Sequence, residues 1–198
     1  VIRVVLADDE DLIRGALAAL LDLEPDLEVV AQCSNGAEAL RAVREHAPDI
    51  AVFDLEMPEL DGVQAAQRLA GRLPIVLVTR HARPGVLKRA LAAGIRGFVP
   101  KTTPASRLAV ILRDVHGGAR YIDPEIAASA LTGDACPLTD RELELLGHTL
   151  QGGTIATIAA AVHLAPGTVR NYLSAAMTKL GVETRHEAAR RAWEEGWI

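Results

Sequence analysis

Asp8 and Asp9, then Asp54, Thr79 and Lys101, each follow or close a short apolar run, although the runs lie far apart in the chain. Gathered in one place, these side chains would do recognisable chemistry. Three converging carboxylates repel one another strongly unless a cation sits among them. Oxygen-only ligands suit a hard ion, Mg²⁺ above all, which keeps some of its waters and accepts phosphate oxygens. Opposite the carboxylates, Lys101 would neutralise charge and Thr79 would donate a hydrogen bond, completing a pocket for a phosphoryl group on Asp54.

A parallel sheet could gather them. Near-continuous apolar runs predict strands at Ile2–Ala7, Leu27–Cys33, Ile50–Asp54, Ile75–Thr79 and Gly97–Val99, the pattern of strands buried on both faces. Helical periodicity fills the gaps, over Asp11–Leu23, Gly36–His46, Val63–Arg72, Pro84–Ala93 and Pro104–His116. In the first of these, Leu12, Ala16, Ala19, Leu20 and Leu23 share one face. Strict alternation predicts an α/β fold with an open, doubly wound, five-stranded parallel sheet, where ligands bind at the carboxyl ends of strands. The five polar residues fall at those ends.

The stretch from Gly117 to Pro124 breaks the pattern, a short helix follows over Glu125–Leu131, and Thr132–Pro137 reads as linker. From Leu138 the signal is helical only: Asp140–Leu150, Ile155–Val162, Pro166–Leu180 and Arg185–Glu195. The expected organisation is an α/β domain over 1–117, a linker with a short helix over 118–137, and a small all-α domain over 138–198.

Composition permits this. The chain has 198 residues, 49% hydrophobic and 24% charged, which excludes wholesale disorder. Cys33 and Cys136 have no partners at metal-ligand spacing, so neither a zinc site nor a disulfide framework is expected. No apolar stretch approaches a membrane span and no signal-peptide pattern opens the chain, so a cytoplasmic protein without membrane insertion is expected. Because Val1 lies inside a strand, a few residues are expected to precede it. The net charge of −5 argues mildly against a nucleic-acid partner. The total conceals opposed blocks: residues 1–61 carry four Arg against fifteen acids, and 62–131 carry eleven Lys or Arg against three.

Leu6-Ala7-Asp8-Asp9-Glu10, Phe53-Asp54-Leu55-Glu56-Met57-Pro58, Thr79 and Gly97-Phe98-Val99-Pro100-Lys101 resemble the receiver domain of two-component response regulators, which is flavodoxin-like. The resemblance implies that Asp54 is the phospho-acceptor. It implies that Asp9 binds Mg²⁺ directly, Asp8 through water, and Glu56 by its backbone carbonyl. Thr79 and Lys101 are then the switch hydroxyl and the phosphoryl-contacting lysine, and Phe98 the aromatic that changes rotamer when Thr79 moves. Two positions depart from the pattern. Arg80 stands where the family usually has a small residue, and could attract small phosphodonors or hinder a kinase or water. Lys101 is followed by Thr102, where Pro or Asp is commoner.

In Pro166–Leu180, Val169, Leu173, Ala176 and Leu180 form one apolar stripe, and no acid stands anywhere in the segment. Arg pairs bidentately with guanine and Asn with adenine, while hydroxyls and lysines suit phosphates. Leu138-Thr139-Asp140-Arg141-Glu142, Gly167-Thr168-Val169-Arg170-Asn171-Tyr172-Leu173-Ser174 and Lys179-Leu180-Gly181-Val182 resemble the LuxR-type helix-turn-helix domain. Joined to a receiver, this is the NarL/FixJ-type architecture. The resemblance implies base contacts by Arg170, Asn171 and Ser174, backbone contacts by Thr168, Tyr172 and Lys179, and a two-fold contact through the last helix. It implies DNA, a sensor histidine kinase and a second copy of the chain as partners, with RNA polymerase a further candidate, and no conventional enzyme. Strings at Ala82-Arg83-Pro84-Gly85, 167–174 and Glu195-Gly196-Trp197 resemble the branch that includes the desaturase-regulating member. Two caps look lost: Thr154-Ile155-Ala156-Thr157 lacks the capping-box Glu, and Ala165 replaces a favoured N-cap Ser. Five cations follow residue 141, so weak DNA binding by the monomer is expected, made useful by pairing.

Two alternatives stay open at this point. One is an atypical receiver controlled by a ligand or by dimerisation without phosphorylation. The other, more remote, is an Mg²⁺-dependent aspartyl-phosphate hydrolase. Such enzymes typically need a second Asp two residues after the nucleophile, where Glu56 stands, and would have no use for a helix-turn-helix.

Overall fold

Short apolar runs pair side by side into one parallel sheet in the computed structural model, which describes residues 1–69, 71–80, 84–132 and 136–198. Its strands are β1 (Ile2–Ala7), β2 (Leu27–Cys33), β3 (Ile50–Asp54), β4 (Ile75–Thr79), β5 (Gly97–Pro100) and β6 (Tyr121–Ile122), in the order β2-β1-β3-β4-β5-β6. Every residue of β3 and β4 is buried, because helices cover both faces of the sheet. The crossovers are α1 (Asp11–Leu21), α2 (Gly36–His46), α3 (Gly62–Leu69), α4 (Pro84–Ala92) and α5 (Ala105–His116). The fold class is the expected doubly wound α/β sheet.

Two features differ from expectation. β6 makes a sixth strand, parallel to β5, in the segment expected to break the pattern. Two residues are too few to show a period. Backbone bonds define this strand instead: Tyr121 N–H donates to Arg96 O, and Asp123 N–H to Phe98 O, each at 2.9 Å. The Asp123 carboxylate then accepts from the Glu125 amide at 3.0 Å and opens α6 (Pro124–Thr132). Residues 133–135 of the expected linker lie outside the described residues.

The second difference is the face of α1. Its buried residues are Ala18 and Leu21, with Leu17 packed against the same core, whereas Leu12, Leu20 and Leu23 are 86%, 49% and 78% exposed. This helix is apolar around much of its circumference, so spacing alone does not say which stripe the sheet takes.

A second compact unit holds α7 (Asp140–Leu150), α8 (Ile155–Ala161), α9 (Pro166–Leu180) and α10 (Arg185–Glu194). The predicted stripe of α9, Val169, Leu173, Ala176 and Leu180, is buried among Leu145, Leu146, Ile158 and Ala188. α7 starts with a capping box in which Thr139 N–H donates to Glu142 Oε2 at 2.7 Å and Glu142 N–H to Thr139 Oγ1 at 3.3 Å. The box expected to be missing from α8 is present, because Thr157 takes the place of Glu: its Oγ1 accepts from Thr154 N–H at 2.8 Å. α9 has no side-chain cap at Ala165, but Pro166 follows, and proline has no N–H to leave unpaired. Among the described residues, no helix is long and apolar enough to cross a membrane.

Candidate functional site

The winding of the sheet reverses at β1, which has β2 on one side and β3 on the other. Ala7 pairs with Phe53, Asp54 with Val78, and Thr79 with Pro100, so the residues that end or follow β1, β3, β4 and β5 meet at one rim. There the ligand atoms of Asp8, Asp9 and Asp54 lie within 4.8 Å of one another. Asp8, Asp54 and Thr79 are buried and Asp9 is exposed. The sequence therefore scatters what the topology gathers.

Lys101 holds the carboxylates together. Its Nζ donates to Asp54 Oδ2 at 2.7 Å and lies 2.8 Å from Asp8 Oδ2 and 3.1 Å from Glu10 Oε2. Its backbone N–H donates to Thr79 O at 2.7 Å, which ties the ends of β4 and β5 together beside the acceptor. Asp54 Oδ1 accepts from the Glu56 amide at 3.3 Å, and Asp8 Oδ1 from the Glu10 amide at 2.9 Å. Burial pushes the Asp54 carboxyl up to about 6, against the opposing pull of Lys101. Burial works to lower Lys101, but its hydrogen bond to Asp54 and its ion pair with Asp8 outweigh that and hold the ammonium well above its usual range.

Asp8 Oδ2 is the atom that bears on a cation. It is fully buried, and although it lies at ion-pair distance from Lys101, the angles give it no hydrogen bond. A buried carboxylate oxygen that accepts no hydrogen bond, beside two further carboxylates, fits a hard cation or its bound water. The donor set is all oxygen, which suits Mg²⁺ and not a soft metal. Cys33, the nearest question of thiol chemistry, is a buried free thiol pushed up to about 11 by burial, and so is inert.

The loop after β3 is fitted closely. A Cβ on Gly62 would stand 2.3 Å from the Asp54 carbonyl oxygen and 2.9 Å from Leu77 Cδ2, so only glycine lets the start of α3 pack there. Phe98 is buried in β5, where its carbonyl accepts from Asp123. A cavity of about 300 Å³ opens over the acceptor, lined by Asp9, Glu10, Asp54, Glu56, Arg80 and Lys101. Glu10 is a site residue to which sequence reasoning assigns no role. It bridges Lys101 and Arg80, and the bond from Lys101 is the main cause that holds its carboxyl below the usual range. The only signal is its position as third acid of the Asp8-Asp9-Glu10 run.

In the helical unit, Arg170, Asn171, Tyr172, Ser174 and Lys179 are exposed on α9 and Thr168 is half-buried. The side chains of Arg170, Asn171 and Ser174 have no hydrogen-bond partner among the described residues. Lys179 differs, because its Nζ donates to Glu142 Oε2 at 2.8 Å. Glu142 is buried, which works to raise its carboxyl, but Lys179 and the Thr139 amide hold it below the usual range.

A strand-end carboxylate cluster with its lysine and threonine, followed by a helix-turn-helix unit with an acid-free reading helix, is the make-up of a response regulator. Residues 4–113 match the response regulator receiver domain and residues 136–192 the bacterial regulatory proteins of the luxR family. The transcriptional regulatory protein DesR of Bacillus subtilis is 39% identical over 198 residues, 100% of this chain and 99% of DesR. UhpA of Escherichia coli is 35% identical over 196 residues, 99% of this chain and 100% of UhpA. The chain belongs to the two-component response regulators that carry a luxR-family DNA-binding domain. DesR, the desaturase-regulating relative, is of the branch that the quoted strings resemble; Ala82 and Arg83 of those strings lie outside the described residues. Among solved structures, the response regulator ChrA of a heme-sensing two-component system is 30% identical with a TM-score of 0.59, over 100% of this chain and 98% of ChrA. RcsB in a DNA complex, at 21% identity and a TM-score of 0.66 over 98% of each chain, shares the fold.

Proposed function

We propose that this response regulator acts in the cytoplasm as a transcription factor switched by phosphoryl transfer to Asp54. The observation that carries the reading is the Lys101 ammonium, 2.7 Å from Asp54 and 2.8 Å from Asp8 where three carboxylates converge. In this reading residues 1–117 form the receiver and 138–198 the DNA-binding domain, and the intervening 118–137 joins the sheet in part as β6. A sensor histidine kinase supplies the phosphoryl group. The bond from phosphorus to the histidine nitrogen breaks as the bond to an Asp54 carboxylate oxygen forms. Asp9, Asp54 and the Glu56 carbonyl would hold Mg²⁺, with Asp8 acting through water, and the ion would supply positive charge for the incoming oxygens. Lys101 pairs a phosphoryl oxygen, Thr79 donates its hydroxyl to another, and Phe98 follows Thr79. This exchange sets a state of the protein and is not the turnover of an enzyme.

The same reading needs a second copy of the chain, because few cations face the DNA. Two receiver surfaces are candidates for this pairing, the apolar residues of α1 and α5 and the face around α4. The outward leucines favour the first. Leu12, Leu20, Leu23 and Val110 are exposed there, and a groove of about 230 Å³ runs between Ile13, Leu17, Leu20 and Leu108. β6 meanwhile occupies the outer edge of β5. Paired reading helices then set Arg170, Asn171 and Ser174 toward base edges and Thr168, Tyr172 and Lys179 toward phosphates, with α10 at the two-fold contact. RNA polymerase is the partner that reads the result.

Incubation with Mg²⁺ and a small acyl phosphate tests the first half. Label is expected on the wild type and absent from Asp54→Asn; equal label on both removes the Asp54 assignment. A wild type that stays unlabelled yet binds DNA as a dimer replaces this reading with phosphorylation-independent control. Arg170→Ala is expected to lower specific DNA binding by about 1–3 kcal/mol, and an unchanged footprint means that another residue reads the base.

A further inference from the structure

Arg80 directly follows Thr79 at the end of β4, and its side chain lines the cavity over Asp54. One guanidinium nitrogen lies 2.5 Å from Glu10 Oε1. The other Glu10 oxygen lies 3.1 Å from Lys101 Nζ, which reaches Asp54 at 2.7 Å. Charge therefore alternates from the mouth of the cavity to the acceptor: Arg80, Glu10, Lys101, Asp54. Arg80 is 53% exposed, so its guanidinium stands between bulk water and the pocket.

The charges of that cavity do not balance once a phosphoryl group arrives. Four carboxylates (Asp9, Glu10, Asp54, Glu56) face two cations, Arg80 and Lys101, and the Mg²⁺ of the proposed reading would only bring that sum to zero. Phosphorylation replaces the single charge of Asp54 with about two and adds three strong acceptor oxygens. The one ammonium of Lys101 is already shared among Asp54, Asp8 and Glu10. A guanidinium offers five donors in a fixed fork that matches phosphate geometry. Its present pairing with Glu10 is half exposed, and such a pair is easily exchanged.

We propose that Arg80 is a phosphoryl-binding residue of this receiver, and that it lengthens the life of the phosphorylated state. The guanidinium leaves Glu10 for the phosphoryl oxygens on Asp54 and closes the mouth of the cavity to water. The proposal rests on Asp54 being the acceptor. Loss of the phosphoryl group needs a water oxygen to bond to phosphorus while the bond from phosphorus to the Asp54 oxygen breaks. Asp54 returns as carboxylate, and both water protons leave with inorganic phosphate or pass to solvent. In-line attack needs that water on the side of phosphorus opposite the Asp54 oxygen, and a guanidinium held over the phosphoryl group at the cavity mouth denies water this line of approach.

The test loads the full-length protein with phosphoryl from a small acyl phosphate and Mg²⁺, removes the donor, and follows loss of label from wild type, Arg80→Ala and Arg80→Lys. Arg80→Ala is expected to lose label about fivefold faster, the scale of one hydrogen bond, with Arg80→Lys in between. Binding of beryllofluoride, a phosphoryl mimic that does not hydrolyse, is expected to weaken about tenfold in Arg80→Ala, by fluorine NMR, as one charge-assisted contact implies. Loss of label at the wild-type rate or slower, or unchanged beryllofluoride binding, overturns the proposal. Where wild type labels and Asp54→Asn does not, that outcome leaves the Asp54 reading standing. A wild type that takes no label overturns both.

Discussion

The receiver and the helical unit use their cations in opposite ways. In the receiver pocket, Lys101 and Arg80 lie among five carboxylates, Asp8, Asp9, Glu10, Asp54 and Glu56, and negative charge is left over for an incoming cation. In the helical unit, four cations are engaged across the fold, and Arg190 pairs along its own helix with Glu194 at 3.7 Å. Arg141 donates to Val162 O, Arg185 to Gly153 O and Arg191 to Leu180 O, at 2.9, 3.1 and 3.0 Å, while Lys179 pairs with Glu142. These arginines satisfy backbone carbonyls at helix ends and in turns, where cations are favoured. Arg170 is then the basic side chain of α9 that is free for a ligand among the described residues. The contrast teaches that a count of charges says little until each charge is assigned its present partner.

The largest effect is expected where the pocket meets its scaffold. Gly62→Ala would force a Cβ to within 2.3 Å of the Asp54 carbonyl oxygen. The receiver should lose about 3 kcal/mol in urea unfolding and take up little phosphoryl label, while the unfolding of the helical unit is unchanged. Wild-type stability would mean that the loop after β3 yields more than its packing indicates.

Next is the charge imbalance itself. The Asp54 carboxyl is raised from 3.8 to about 6, so between those values the folded receiver binds more protons than the unfolded chain. Its contribution to stability is therefore favourable below about pH 4 and is lost as pH rises through 6. Without Mg²⁺, Asp54→Asn should be more stable than wild type by about 2 kcal/mol at pH 7.5, and the difference should vanish near pH 4. A difference that does not depend on pH would show that burial does not strain this carboxylate.

The smallest effect concerns the other unit. Lys179→Met should destabilise the helical domain by about 1 kcal/mol, a value discounted because Lys179 is partly exposed although Glu142 is buried. The salt slope of DNA binding should also fall by about one, because Lys179 leaves Glu142 for a phosphate in the proposed complex; an unchanged slope would make Lys179 a tether within the fold only.

The strands β1 to β4 carry the same bounds in the sequence reading and in the structure. Their β-branched runs are long enough to show a pattern, and burial on both faces demands such runs. The stripe of α9 and the carboxylates at the strand ends are legible for the same reason, since both follow from local periodicity. β6 is not legible, because two residues hold no period and backbone bonds to β5 make the strand. Nor is the Thr157 cap, since a hydroxyl can close a box that the usual signature assigns to Glu.

Residue types and their spacing thus settle the doubly wound class and the helix-turn-helix unit, and they single out the side chains proposed to bind a phosphoryl group and DNA. Three-dimensional packing settles the outward face of α1, the bridge from Arg80 through Glu10 to Lys101, and the engagement of Arg141, Arg185 and Arg191 by carbonyls. The reason is one of range. Periodicity and capping act over a few residues and are written in the chain, whereas a charge finds its partner across the fold, where distance along the sequence carries no information.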